Sequence, residues 1–217
     1  VQSEIAHSAV SRKFYFEYFI NIDKLNGSFG QGLQYCLDEQ PDEHSSLLMH
    51  SLLCLKSWLA DDLKGVLFHA QQMPELTNAA SSGYLHARIL ASKLFRASLL
   101  NADITSILAE ARSMYERCWK GIVADNHYSS FEYVMAETLT LIEEPLEAQY
   151  YLDAAIKAAL HREAKDEAND LHHPETLKLF KAIALEQTGH FEAAKRYLES
   201  IRIDAFHFLY KEFNQII

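Results

Sequence analysis

A single glycine, Gly189, joins two amphipathic segments in the last quarter of the sequence. Apolar residues recur at helical spacing before it (Leu177, Phe180, Ala182, Leu185) and after it (Phe191, Ala194, Leu198, Ile201). Glycine takes the left-handed conformation that ends a helix without the steric penalty of a Cβ atom. The stretch therefore predicts a helical hairpin, in which the small Ala182 and Ala194 let the two helices approach closely.

A second stretch with the same pattern lies 46 positions earlier, where Phe131 takes the place of Leu177. The further agreements are Val134, Ala136, Leu139, Ala148, Tyr151 and Leu152 in the places of Phe180, Ala182, Leu185, Ala194, Tyr197 and Leu198. One hairpin cannot bury its own apolar face, so a recurring hairpin predicts a stack of neighbours of the same kind.

The order of Gly189, Phe191, Ala194 and Leu198 resembles the tetratricopeptide repeat, which has a Gly-x-aromatic turn, then an alanine, then a large apolar residue. The match is best over 177–201 and weaker over 131–155 and 16–39. The resemblance implies an all-α, right-handed solenoid of antiparallel helical hairpins, with about five pairs and a C-terminal helix. We expect one repeat domain over 1–217 that is a fragment of a longer protein.

Composition supports a helical fold. The chain has 49% hydrophobic residues, but only seven glycines and four prolines for the many turns that a β-sandwich or barrel would need. Periodicity predicts helices or helical hairpins over 4–22, 45–59, 63–73, 83–100, 104–119, 129–160 and 177–201. Asp103 is a candidate N-cap, and Pro145 suits the opening turn of a helix.

Charge and cysteine content exclude several classes of protein. Lys plus Arg is 20 and Asp plus Glu is 30, and this net charge of −10 repels a phosphate backbone, so we expect no direct nucleic-acid contact. The apolar runs are too short for a membrane span, and no secretory signal is present. Three cysteines (Cys36, Cys54, Cys118) without a C-x-x-C pair favour a reducing compartment, and we expect a cytoplasmic protein.

Motifs for catalysis or metal binding are weak or missing. Glu4 and His7 have the spacing of one half of a di-iron site, but such sites need a second copy and two more acids. The nearest second candidate, Asp170 to His173, lies in a predicted loop. We expect no metal, no cofactor and no enzymatic activity. The eleven histidines are dispersed, which favours ordinary histidines over a pH switch.

The resemblance implies a concave groove, lined by the first helix of each pair, that holds a peptide or a partner's helix. The two best-matched repeats and a third helix direct the following side chains to that groove: Tyr133, Glu137, Thr140, Leu179, Ile183, Glu186, Tyr84, Arg88, Ser92 and Arg96. The sequence therefore predicts a non-catalytic protein- or peptide-binding scaffold. The alternative is a ligand- or peptide-sensing regulatory domain of a repeat-containing transcriptional regulator.

The segment Asp204–Ile217 is more apolar than a terminal helix normally leaves in water. Three explanations remain open. The segment folds back on the last hairpin, begins a further repeat, or contacts another chain by self-association.

Overall fold

A computed structural model describes residues 37–38, 43–73, 83–121, 130–163 and 173–201. These residues form helices joined by turns, with no strand among them, so the all-α prediction is confirmed for the described part of the chain. The predicted helix over 4–22 and the apolar segment Asp204–Ile217 lie outside the described residues. The chain divides into two compact units, Val1–Ile122 and Val123–Ile217.

The described residues of the first unit form two pairs of helices. The helices are α1 (Glu43–Leu59), α2 (Leu63–Gln71), α3 (Gly83–Leu99) and α4 (Thr105–Met114), and α4 continues into a π-helical turn, Tyr115–Trp119. Helix α1 packs against both α2 and α3, and α3 contacts α4. The helices were predicted to within about two residues, but the π-helical turn was not, because the apolar spacing of a π-helix over one turn is not distinguishable from that of an α-helix.

The second unit contains α5 (Phe131–Leu141), α6 (Pro145–Glu163), α7 (His173–Gln187) and α8 (Phe191–Glu199). Each helix packs against the next one in the chain, and α5 also contacts α7. The first helices of the two hairpins are thus neighbours. The small residues Ala136, Ala148, Ala182 and Ala194 are all buried, which is consistent with the close approach predicted for the paired helices.

The four hairpin turns have the same hydrogen-bonding pattern. In the last hairpin, the N–H of Gly189 donates to the carbonyl of Glu186, and the N–H of His190 donates to the carbonyl of Leu185 at 2.8 Å. This is the Schellman arrangement, which satisfies the carbonyl groups left over at the end of a helix. In the other three turns the equivalent bond, from an N–H to the carbonyl five residues earlier, joins Asp62 to Ser57, Ala102 to Ala97 and Glu144 to Leu139, at 2.8 to 2.9 Å.

Each of these turns has one residue in the left-handed region, and only one of the four is glycine. Gly189 has φ of 79°, as predicted, but Asp61, Asn101 and Glu143 take φ of 52°, 49° and 63°. The four positions are 40, 42 and 46 residues apart (61, 101, 143, 189). The turn is therefore a recurring unit of this chain even where its sequence gives no glycine signal.

The helix starts after these turns show one confirmed prediction and one correction. Pro145 is the first residue of α6, where its missing N–H costs nothing. Helix α4 begins at Thr105 with Ile104 as its N-cap, so Asp103 is not the N-cap. The Asp103 carboxylate lies one residue earlier and still accepts hydrogen bonds from the N–H and hydroxyl of Thr105, at 2.9 and 2.6 Å. These bonds hold its pKa below the ordinary value.

Helix α5 is the most deeply buried element of the second unit. Every residue from Phe131 to Leu141 is buried, including the polar Glu132, Glu137, Thr138 and Thr140. The helix starts at Ser130, whose hydroxyl accepts a hydrogen bond from the N–H of Tyr133. A helix buried on all sides has no face left for water, so its polar side chains belong to the interior of the unit.

Among the described helices, none combines the length and the apolar character needed to cross a bilayer.

Candidate functional site

The four predicted contact residues of the first unit lie along α3, and two of them are not accessible. The Arg88 guanidinium lies over the Tyr84 ring, with its carbon 5.2 Å from the ring centroid, in a cation–π contact. Arg88 is buried, and Ser92 is buried with its hydroxyl donating to the Arg88 carbonyl at 3.0 Å. Tyr84 is half-buried and Arg96 is exposed. The accessible part of this predicted surface is therefore Tyr84 and Arg96.

The three predicted contact residues on α5 are buried. Tyr133 packs its ring 6.0 Å from that of Phe180, between centroids, and so links α5 to α7. Glu137 is 1% exposed, and the Thr140 hydroxyl donates to the Ala136 carbonyl within its own helix at 2.8 Å. In this structure these side chains contribute to packing and do not form an accessible surface. Tyr133 lies at the contact between α5 and α7.

The predicted residues on α7 follow the same trend. Leu179 and Ile183 are buried, and Glu186 is half-buried in the last turn of the helix. Glu186 also provides the carbonyl that accepts from Gly189 in the hairpin turn. Of the six residues predicted to line the groove in this unit, Glu186 is the one that solvent reaches appreciably.

Polar contacts join the neighbouring hairpins of the second unit. The Lys181 ammonium on α7 lies 2.8 Å from the Asp153 carboxylate on α6, with the Lys181 side chain buried and that of Asp153 exposed. The Gln149 amide on α6 donates to the Thr188 hydroxyl at the end of α7, at 3.4 Å. The aliphatic part of the Lys181 side chain is buried, and its ammonium group reaches a carboxylate at the protein surface. This contact favours the observed alignment of α6 and α7.

A pair of histidines joins α1 to α2. The Nδ1 atoms of His50 and His69 are 3.0 Å apart, so one ring donates to the other. The exposed ring of Phe68 stands edge-on to both imidazoles. Burial lowers the pKa of both histidines, the neighbouring His50 lowers that of His69 further, and the Asp62 carboxylate opposes this. Both rings are therefore neutral near pH 7, and the contact is a neutral hydrogen bond.

A second histidine contact joins α3 to the π-helical turn. The indole N–H of Trp119 donates to Nδ1 of His86 at 3.1 Å, and the two rings meet edge-on with centroids 5.5 Å apart. The indole also lies against Gly83, where a Cβ atom would come within 2.9 Å of the ring. The apolar spacing over 104–119 includes Trp119 without indicating a polar contact for it, and no local pattern distinguishes His86 from the other dispersed histidines.

Reactive or metal-binding groups are sparse in the described part of the chain. Cys54 is fully buried, and burial raises the pKa of its thiol to about 12, so it is not a nucleophile at neutral pH. Cys118 is exposed. Within the described ranges, no three His, Cys, Asp or Glu side chains are grouped so that they could hold a metal ion. The candidate half-site at Glu4 and His7 lies outside those ranges.

No family model matches the chain, and no curated protein or solved structure is significantly similar to it. The likeness to tetratricopeptide repeats therefore remains a resemblance of the residues around Gly189.

Proposed function

We propose that this chain is a non-catalytic scaffold, built from stacked helical hairpins of the tetratricopeptide type, that binds a protein or peptide ligand. The observation that carries the proposal is the recurrence of one turn. Asp61, Asn101, Glu143 and Gly189 occupy the same left-handed position with the same hydrogen bonds. A turn of fixed geometry sets the same connection between successive helices, which is what a repeat protein needs.

The packing of the second unit supports this proposal. The α5 and α7 helices are the first members of successive hairpins and lie side by side, while α6 lies against both of them. In a repeat stack each hairpin buries its apolar face against the next, and the stack presents a long surface of fixed shape. A preformed surface costs little conformational entropy when a ligand binds, which favours recognition over reaction.

The accessible predicted residues define where binding is to be tested. They are Tyr84 and Arg96 on α3 and Glu186 on α7, all on first helices of hairpins. An exposed charge at the edge of an interface changes affinity by about 0.2–1 kcal/mol, which is roughly a 1.4- to five-fold change in Kd. The effect is small, so it must be measured against a matched variant.

The experiment selects random peptides on phage against the full chain and measures the enriched peptides by fluorescence anisotropy. Arg96→Ala is compared with Arg196→Ala, which removes another exposed arginine, from α8, the second helix of its hairpin. The proposal expects weaker binding in Arg96→Ala and unchanged binding in Arg196→Ala. Failure to enrich any peptide above the level of an uncoated surface would refute the scaffold function, and equal effects of the two variants would refute the assignment of the surface.

A further inference from the structure

The contact between Trp119 and His86 requires one protonation state of the imidazole. The indole N–H is a hydrogen-bond donor only, so Nδ1 of His86 must carry a lone pair to accept it. The proton of the neutral ring is then on Nε2, which is buried and has no hydrogen-bond partner among the described residues. A proton added at Nδ1 removes the acceptor and leaves two donors facing each other.

The Trp119 ring is half-buried. It is at the end of the π-helical turn Tyr115–Trp119, and the turn closes with the N–H of Lys120 donating to the Tyr115 carbonyl at 2.8 Å. The face of the ring lies against Gly83, a position with no side chain of its own to hold it. Three features therefore meet at one point: a π-helical turn that aims the indole at α3, a glycine that makes room for it, and a histidine that binds it.

We infer that the Trp119–His86 contact is a proton-sensitive latch, which holds the π-helical turn against α3 at neutral pH and releases it when His86 is protonated. The turn ends shortly before Ile122, the last residue of the first unit. This inference does not depend on the proposed scaffold function, because it concerns a contact within the first unit.

Neighbouring charges do not set the protonation of His86, so a change of pH acts directly on the Trp119–His86 contact. Burial lowers the pKa of His86, and among the described residues of α1, α2, α4 and the π-helical turn no charged group contributes to that shift. The turn carries Glu116 and Arg117 and is followed by Lys120: Glu116 and Lys120 form an ion pair at 2.9 Å, and the Arg117 side chain donates to the Ser113 carbonyl at 3.2 Å. On α3 itself, Arg88 lies over the ring of Tyr84. The contact is intact above pH 6.5, the ordinary pKa of histidine, and it is lost as the pH falls through the lower pKa of His86 in the folded protein.

The test uses Trp119 as its own reporter. The chain has two tryptophans, so Trp58→Phe leaves Trp119 as the single tryptophan emitter, and phenylalanine keeps the stacking contact with Phe95. Fluorescence of this full-length variant is titrated from about pH 7.5 to about pH 5, the range in which histidines change charge. We expect the emission to shift to the red with a midpoint below pH 6.5, while helical circular dichroism stays constant.

Two further variants in the Trp58→Phe background isolate the latch. In His86→Asn the carboxamide oxygen can replace Nδ1 as acceptor and does not titrate, so the emission should not change over this range. In Gly83→Ala the new methyl group displaces the ring, so the protein at pH 7.5 should already show the red-shifted emission. A transition that persists in His86→Asn, or a Gly83→Ala protein with the wild-type emission and transition, would overturn the inference. Absence of any transition in Trp58→Phe alone would do the same.

Discussion

The equivalence of the four hairpin turns predicts opposite effects of glycine at two matched positions. Glu143 and Gly189 both take the left-handed conformation, with φ of 63° and 79°. Glu143→Gly should stabilise the protein, because it removes the steric cost of a Cβ atom at positive φ. Gly189→Ala should destabilise it, because it introduces that cost.

The magnitude follows from two opposing terms. A residue with a Cβ atom pays about 1–2 kcal/mol in the left-handed region, while glycine adds about 0.5–1 kcal/mol of chain entropy in the unfolded state. The net change is about 0.5–1 kcal/mol at each site, with opposite signs. At Gly189 no atom of the described residues lies within 4 Å of the added Cβ, so the cost there is a backbone cost and not a steric clash.

The other two turns provide an internal ranking. Asparagine tolerates positive φ better than aspartate, and aspartate better than a longer side chain such as glutamate, so the gain on mutation to glycine should decrease from Glu143 to Asp61 to Asn101. Urea unfolding followed by circular dichroism measures all four variants against the wild type. Stabilisation by Gly189→Ala, or destabilisation by glycine at all three other turns, would refute the turn geometry described above.

Three more predictions use other parts of the structure. Leu139→Ala should destabilise the protein by about 3–4 kcal/mol, because it removes buried carbon atoms with a transfer free energy of about 2.4 kcal/mol and leaves a cavity. Leu146→Ala removes a side chain that is 74% exposed, so it should change stability by less than about 0.5 kcal/mol in the same urea assay. Iodoacetamide at pH 8 should label Cys118 and leave Cys54 unmodified in the folded protein, as read by peptide mass spectrometry; equal labelling would contradict the burial of Cys54. The free energy of unfolding should fall as the pH drops below about 6.5, because burial lowers the pKa of His50, His69 and His86 and the unfolded chain therefore binds more protons than the folded one. A free energy of unfolding that stays constant between pH 7 and 5, measured by urea unfolding, would count against this.

Much of the helical architecture could be predicted from the sequence, because apolar spacing is a local property. The bounds of α1 and α3 were found to within two residues, and Gly189 marked its turn correctly. The sequence predicted the other three turns as connections between helices, but it did not predict that each contains a residue in the left-handed conformation. At Asp61, Asn101 and Glu143 the hydrogen bonds of the helix end hold the left-handed conformation; aspartate and asparagine tolerate it, but a glutamate gives no sign of it in the sequence.

The accessible surface was much harder to predict than the helices. Glu137 and Thr140 looked like the polar, outward face of a helix, but α5 is enclosed on every side and both are buried. Periodicity shows which residues share a face of a helix, and not whether another element covers that face. The contacts of His86 with Trp119 and of His50 with His69 join residues far apart in the chain, so no local pattern could have revealed them. The binding of a partner stays a prediction, and so does the regulatory alternative.

The central claim is that successive hairpins of the second unit pack with their first helices side by side. The most direct measurement is the nuclear Overhauser effect between the aromatic protons of Tyr133 on α5 and Phe180 on α7, whose ring centroids are 6.0 Å apart. We expect a clear cross-peak between these two rings, which disappears in Tyr133→Leu. A well-folded, helical protein in which the Phe180 ring shows contacts to α8 but none to α5 would contradict it.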